Sequence, residues 1–139
     1  MLAKDRFYKA LKKGLEKEQW VITHDPLRIL FTEEDEIRVD LLSERLLVAE
    51  KFGEKIAVQV KSFLSDSAFF DFHIALGQYL NYRLILELNK TEYTLYLGVP
   101  IAAYESFFQH DLPKASVSKY QVKLIVYDPV DEVIVKWKN

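Results

Sequence analysis

The run Lys55-Ile56-Ala57-Val58-Gln59-Val60-Lys61 decides how this chain folds. Ile56, Val58 and Val60 alternate with Ala57, Gln59 and Lys61, the period of two that defines a β-strand. One face is apolar and suited to a core, and the other carries Gln59 and Lys61. Leu46 to Glu50 just upstream reads as a second strand, with Phe52-Gly53 between the two as a hairpin turn. Further upstream, Trp20 to Thr23, Leu27 to Thr32 and Ile37 to Leu41 are short, β-branched or aromatic segments. They are punctuated by Asp25-Pro26 and by the polar turn Glu33-Glu34-Asp35.

Helices bracket this β-rich block. From Ala3 to Glu18 the apolar residues Phe7, Tyr8, Ala10, Leu11 and Leu15 fall at helical spacing, and the polar remainder holds six basic and three acidic residues. Ser65-Asp66-Ser67 supplies N-cap chemistry for a long helix running to about Leu88, with Asn89 as its stop. That helix is apolar around most of its circumference, which predicts a central position. Beyond it the pattern predicts a strand at Tyr93 to Val99, a helix from Ile101 to Gln109, a short helical turn from Ala115 to Tyr120, and two final strands at Val122 to Tyr127 and Val133 to Trp137. The expected fold is a single α/β domain over residues 1–139, a mixed sheet flanked by helices.

Composition narrows the function. The chain has 139 residues, 50% hydrophobic and 14% aromatic, enough for a genuine core and unlike a disordered chain. The absence of cysteine excludes disulfide scaffolds, thiol nucleophiles and thiolate metal sites. A net charge of −2 gives no global basic footprint for nucleic acid. Met1-Leu2-Ala3-Lys4-Asp5-Arg6 enters charged residues directly, and no apolar run reaches the ~18 to 20 residues of a membrane helix. A cytoplasmic protein is expected. Phosphate-cradling glycine loops, Gly-x-Ser-x-Gly elbows and His-Glu-x-x-His pairs are all missing, and His24, His73 and His110 share no ligand pattern.

One constellation carries chemistry. Gln59 and Lys61 share a strand face, and Asp40 closes the β-rich run Arg38-Val39-Asp40-Leu41 upstream. An acid on one strand, with an oxygen ligand and a lysine two apart on another, is the layout of a metal-assisted phosphodiester-cleaving site. The same spacing also occurs in strands whose outer face simply meets solvent. On the following helix Gln78 and Tyr82 stack one turn apart, two turns beyond Asp71, and polar groups on so apolar a helix need partners or a cleft.

Several segments together resemble the XisH family, the excision-controlling factors associated with the fdxN element. They include Trp20-Val21-Ile22-Thr23-His24-Asp25-Pro26, Val39-Asp40-Leu41, Ser43-Glu44-Arg45-Leu46-Leu47 and Lys55-Ile56-Ala57-Val58-Gln59-Val60-Lys61-Ser62-Phe63-Leu64. Ala75-Leu76-Gly77-Gln78-Tyr79-Leu80-Asn81-Tyr82-Arg83, Tyr104-Glu105-Ser106-Phe107-Phe108 and Tyr120-Gln121-Val122-Lys123-Leu124-Ile125-Val126-Tyr127-Asp128-Pro129 extend the likeness over nearly the whole chain.

The resemblance implies a restriction-endonuclease-like fold of the PD-(D/E)xK type, with a helix, three strands, a helix and a strand as its core and a C-terminal β extension. It also implies a role in site-specific DNA excision beside a separate recombinase and a companion protein, XisI. By resemblance Asp40 is the metal-binding aspartate, Gln59 stands in place of the second acid, Lys61 is the signature lysine, and Gln78 with Tyr82 matches a glutamine-and-tyrosine helix. The metal implied is Mg²⁺ or Mn²⁺. Position 59 departs from the pattern: family members expected to be active carry glutamate there. A glutamine carbonyl still ligates a hard cation but brings no negative charge, for which Glu50, or Glu16 or Glu18 of the first helix, is the candidate substitute. Three functions follow: a metal-dependent DNA-processing factor, a non-catalytic assembly module acting through a XisI-like partner or the recombinase, and, by fold analogy alone, a toxin-like or mobile-element defence component. A homodimer through an exposed patch at Tyr104, Phe107 and Phe108 is a further expectation.

Overall fold

The computed structural model describes residues 2–27 and 46–139. The expected strand at Ile37 to Leu41, most of that at Leu27 to Thr32, the turn between them and Asp40 lie outside the described residues. Helix α1 (Ala3–Lys17) leads into β1 (Val21–His24), β2 (Leu46–Lys51) and β3 (Glu54–Val60). Helix α2 (Ala68–Leu88), β4 (Thr94–Pro100), α3 (Ile101–Glu105), a 3-10 turn (Phe107–Gln109), α4 (Asp111–Lys119), β5 (Leu124–Asp128) and β6 (Val133–Lys138) follow. The strands form one sheet in sequential order, β1 to β6. β1, β2 and β3 are antiparallel, β4 and β5 run parallel to β3, and β6 returns antiparallel. The α/β mixed sheet expected from the sequence is therefore present.

Strand alternation sorts the core into two layers. Leu47, Ala49, Ile56, Val58 and Ile125 point to one face, where Tyr8, Leu11 and Leu15 of α1 cover them. Leu46, Val48, Ala57, Leu97 and Leu124 point to the other, covered by Phe72, Ala75, Tyr79 and Tyr82 of α2 and by Phe107, Phe108 and Val117. The central strands are apolar on both faces because both are covered. Helix α1 lies hard against the sheet: a Cβ at Gly98 would stand 2.8 Å from Leu11 Cδ2, and one at Gly14 would stand 3.0 Å from the Ile134 backbone nitrogen. Behind α1, Trp20 stacks on Trp137 with ring centroids 5.6 Å apart.

The Phe52-Gly53 turn forms as read. Lys51 pairs with Glu54, and both loop residues take positive φ, 50° and 83°, the geometry of a primed hairpin turn. Ser67 caps α2 by accepting from the Phe70 N–H at 3.1 Å.

Four expectations are corrected. Helix α2 is not central: it lines one face of the sheet, and Phe69, Phe70, Leu84 and Leu88 point outward and are exposed. The opposite face already belongs to α1, so only one stripe of α2 meets the sheet. The helix expected from Ile101 to Gln109 breaks at Ser106 (φ −106°, ψ −84°) into α3 and the 3-10 turn. That break turns Phe107 and Phe108 inward, 7% and 3% exposed, so the aromatic dimer patch expected with Tyr104 is core. Finally, the short turn at Ala115 to Tyr120 is the nine-residue α4, which begins at Asp111. Pro113 is its third residue, in the first turn, where a missing N–H costs no helical bond.

Candidate functional site

The C-terminal end of β3 places the site. Gln59 lies in the middle of the sheet, opposite Leu46 on β2 and Leu97 on β4. It shares a face with Ala57, so its side chain meets α2. The ladder runs one residue past the strand: the Lys61 N–H donates to the Gly98 carbonyl at 3.2 Å. From the α1 side, the Tyr127 hydroxyl donates to the Lys61 carbonyl at 3.3 Å, so the backbone of Lys61 is held from two directions. Both residues are buried, Gln59 at 4% and Lys61 at 7% exposure.

The amide of Gln59 has one permitted orientation. Its Nε2 donates to the Ala75 carbonyl and to Gln78 Oε1, each at 3.3 Å. A backbone carbonyl only accepts, so a flipped amide would set oxygen against oxygen. Nε2 therefore faces α2, and Oε1 faces away from that contact. Oε1 is buried and has no hydrogen-bond partner among the described residues. Such an acceptor costs about 1–3 kcal/mol unless something fills its coordination.

Helix α2 brings up the rest. Gln78 is half-buried and Tyr82, one turn on, is buried against the sheet. The sequence singled out Asp71 only by its spacing; the structure gives it a task. Its Oδ2 accepts from the Ser65 N–H at 3.1 Å, so a buried carboxylate ties the segment after Lys61 to the first turn of α2. A serine-rich linker followed six residues later by an acid inside an apolar helix was the available signal.

The other named acids are not brought to this point. Glu50 pairs with Lys55 across the hairpin, four residues along β2 from Leu46, the partner of Gln59. At 3.4 Å per residue that is roughly 14 Å along the strand. Its carboxylate stands 4.0 Å from Lys55 Nζ instead. Glu16 and Glu18 belong to the α1 end of the chain, whose helix covers the opposite face, and Glu18 accepts from Trp137 Nε1 at 3.0 Å. Asp40 lies outside the described residues.

Comparison with known proteins decides the family. The XisH family model matches residues 1–135. The chain belongs to the XisH family. A solved XisH family protein from Nostoc punctiforme PCC 73102 is 45% identical, with a TM-score of 0.86 over 97% of this chain and 100% of that one. A solved fdxN element excision controlling factor protein from Anabaena variabilis is 44% identical, with a TM-score of 0.86 over 97% of this chain and 99% of that one. No curated protein matches the chain in sequence.

The donors of this XisH-family chain suit a hard cation in one respect. Gln59 Oε1 is a buried carbonyl oxygen turned away from its own hydrogen-bonding side, the kind of ligand Mg²⁺ and Mn²⁺ accept. Among the described residues no group of three or more His, Asp or Glu side chains could hold a metal. No helix of the described residues is long and apolar enough to cross a membrane.

Proposed function

We propose that this chain is an element-excision controlling factor that acts on DNA through a nuclease-like site at the end of β3, within a fold related to the PD-(D/E)xK enzymes. One observation supports this above the others: the buried Gln59 carbonyl oxygen has no hydrogen-bond partner among the described residues and lies two residues from a buried lysine. In this reading Asp40 and Gln59 hold Mg²⁺ or Mn²⁺, which when bound polarises a phosphodiester and its attacking water. Lys61 offsets charge that develops on the phosphate, and its held backbone fixes where that charge is met. Gln78 positions Gln59 by accepting from its amide, and Tyr82 backs Gln78 from one turn below. Asp71 keeps the linker after Lys61 from swinging away. XisI-like and recombinase partners, and self-association, belong to the same proposal.

The test is a divalent-dependent cleavage assay on branched, single-stranded and duplex DNA. Cleavage that needs Mg²⁺ or Mn²⁺ and is lost in Lys61→Ala supports the reading. Absence of cleavage by the native chain, or equal cleavage by Lys61→Ala, refutes its catalytic part.

A second reading has its own observation. The Gln59 amide donates to two acceptors on α2, a pairing a carboxylate at this position does not reproduce. The site then serves as scaffold, and the chain works by binding a XisI-like protein or the recombinase. Co-purification with such a partner, unaffected by Lys61→Ala, supports it; no complex with protein or DNA refutes it.

A further inference from the structure

At the other end of the sheet, α2, α4, the start of β4, the segment leading into β5 and the end of β6 line a cavity of about 910 Å³. Thr94 on its wall lies three residues before Leu97, the partner of Gln59, which is roughly 10 Å of strand. The cavity is therefore distinct from the site at Gln59 and Lys61.

Its floor is fixed. The Tyr79 hydroxyl donates to the Leu95 carbonyl at 2.9 Å and accepts from the Lys123 N–H at 3.1 Å. Burial pushes the Tyr79 hydroxyl above its ordinary pKa of 10.0, against the pull of the Lys123 N–H bond and of Arg83, so it stays protonated. Arg83 lies over the Tyr79 ring at 5.4 Å, and its Nη1 donates to the carbonyls of Tyr120 at 2.8 Å and Gln121 at 3.3 Å. Two of its five donors are engaged there, and the rest of the fork is left for other acceptors.

The walls carry the opposite sign from the molecule. The whole chain has a net charge of −2, yet Arg83, Lys114, Lys123 and Lys138 line this cavity against one acid, Glu87. None of the four cations forms an ion pair among the described residues. Like charges gathered around a concavity repel one another, and the concavity focuses their field on whatever enters. A ligand bearing several negative charges relieves both effects. The volume matches small-molecule sites of roughly 300–1,000 Å³.

We propose that this cavity binds a small polyphosphate-bearing anion of nucleotide size, gripped by Arg83, Lys114, Lys123 and Lys138. Calorimetric titration of the full chain with ATP, inorganic tripolyphosphate, adenosine and a short DNA duplex tests it. ATP and tripolyphosphate are expected to bind at one saturable site, more weakly as salt rises, and adenosine to give no heat. Tighter binding of ATP assigns the site to a nucleotide; equal binding assigns it to the phosphate chain alone. Lys123→Glu with Lys138→Glu, and separately the exposed Lys114→Glu, are expected to weaken binding about tenfold or more per reversed charge. The absence of saturable binding by either phosphate compound overturns the proposal, as does unchanged affinity in both variants. Binding of the duplex alone, lost in the same variants, replaces it with a DNA-backbone contact.

Discussion

Replacing Gln59 by glutamate tests the site at the level of single atoms. It restores the acid expected at this position in a nuclease site and changes side-chain volume hardly at all. The structure nevertheless predicts that it destabilises the fold. The wild-type Nε2 donates to the Ala75 carbonyl and Gln78 Oε1, and an ionised glutamate would turn an oxygen toward both of these acceptors. Loss of two long hydrogen bonds and burial of a charge facing acceptors together cost about 3 kcal/mol. For a chain of this length, at ~2.1 cal/mol/K per residue of unfolding entropy, that lowers the melting temperature by about 10 °C. The sign with pH follows from burial. The folded-state pKa of the new carboxyl is raised above its unfolded value, so the charge part of the penalty is absent below about pH 4.3, where the acid is protonated in both states and its single O–H replaces one of the two lost bonds, and the penalty grows as pH rises. Thermal melts of both proteins at pH 4 and pH 8, in EDTA, measure it. Adding Mg²⁺ at pH 8 recovers part of the loss if the ion binds only the folded state. A Gln59→Glu variant as stable as wild type at pH 8 without metal refutes the assigned amide orientation and what rests on it.

Phe52 sits in the left-handed region (φ 50°) at the tip of the β2–β3 turn and is 96% exposed, with only Lys51 Nζ over its ring at 5.9 Å among the described residues, so it supplies strain with little packing. Phe52→Asn is expected to raise stability by about 0.5–1 kcal/mol in urea unfolding, and a decrease contradicts the turn assignment. Gly14→Ala places a methyl 3.0 Å from the Ile134 nitrogen and 3.1 Å from the Val133 carbonyl carbon. Backbone yields little, so a loss of about 1–3 kcal/mol is expected, and a neutral result would mean that α1 rides higher on β6. Asp71→Ala removes the acceptor of the Ser65 N–H; amide exchange at Ser65 should speed up while core amides lose only about 1–2 kcal/mol of protection. Unchanged exchange at Ser65 counts against the tether.

Much of this was legible in the sequence, for physical reasons. The alternation at Ile56, Val58 and Val60 marks a strand face directly, and Ser67 before an apolar run marks a helix start. The failures came where tertiary contacts overrule local pattern. The expected turn at Ala115 to Tyr120 misses the first four residues of the helix, because Pro113 stands in its first turn, two residues after it begins. Ser106 offers no sequence cue for the break that buries Phe107 and Phe108. The apolar outer residues of α2 suggested a central helix because composition does not reveal which side of a sheet is already covered. At the site, spacing alone placed Gln59 with Lys61 and Gln78 with Tyr82. It could not say that the Gln59 amide nitrogen faces α2 and its oxygen faces away, because that depends on how closely helix and strand approach. Nor could it show that Glu50 is engaged at the far end of the hairpin.

The sequential strand order has a bearing on biosynthesis. Each described strand pairs with the described strand made before it, so a chain leaving the ribosome can lay each of these strands on an existing edge, with none of them threading between earlier ones. Gln59 and Gln78 can meet as soon as α2 has emerged, before β4 arrives to cover the open side of β3. The neighbourhood proposed to handle DNA can thus assemble locally, early and from adjacent stretches of polypeptide.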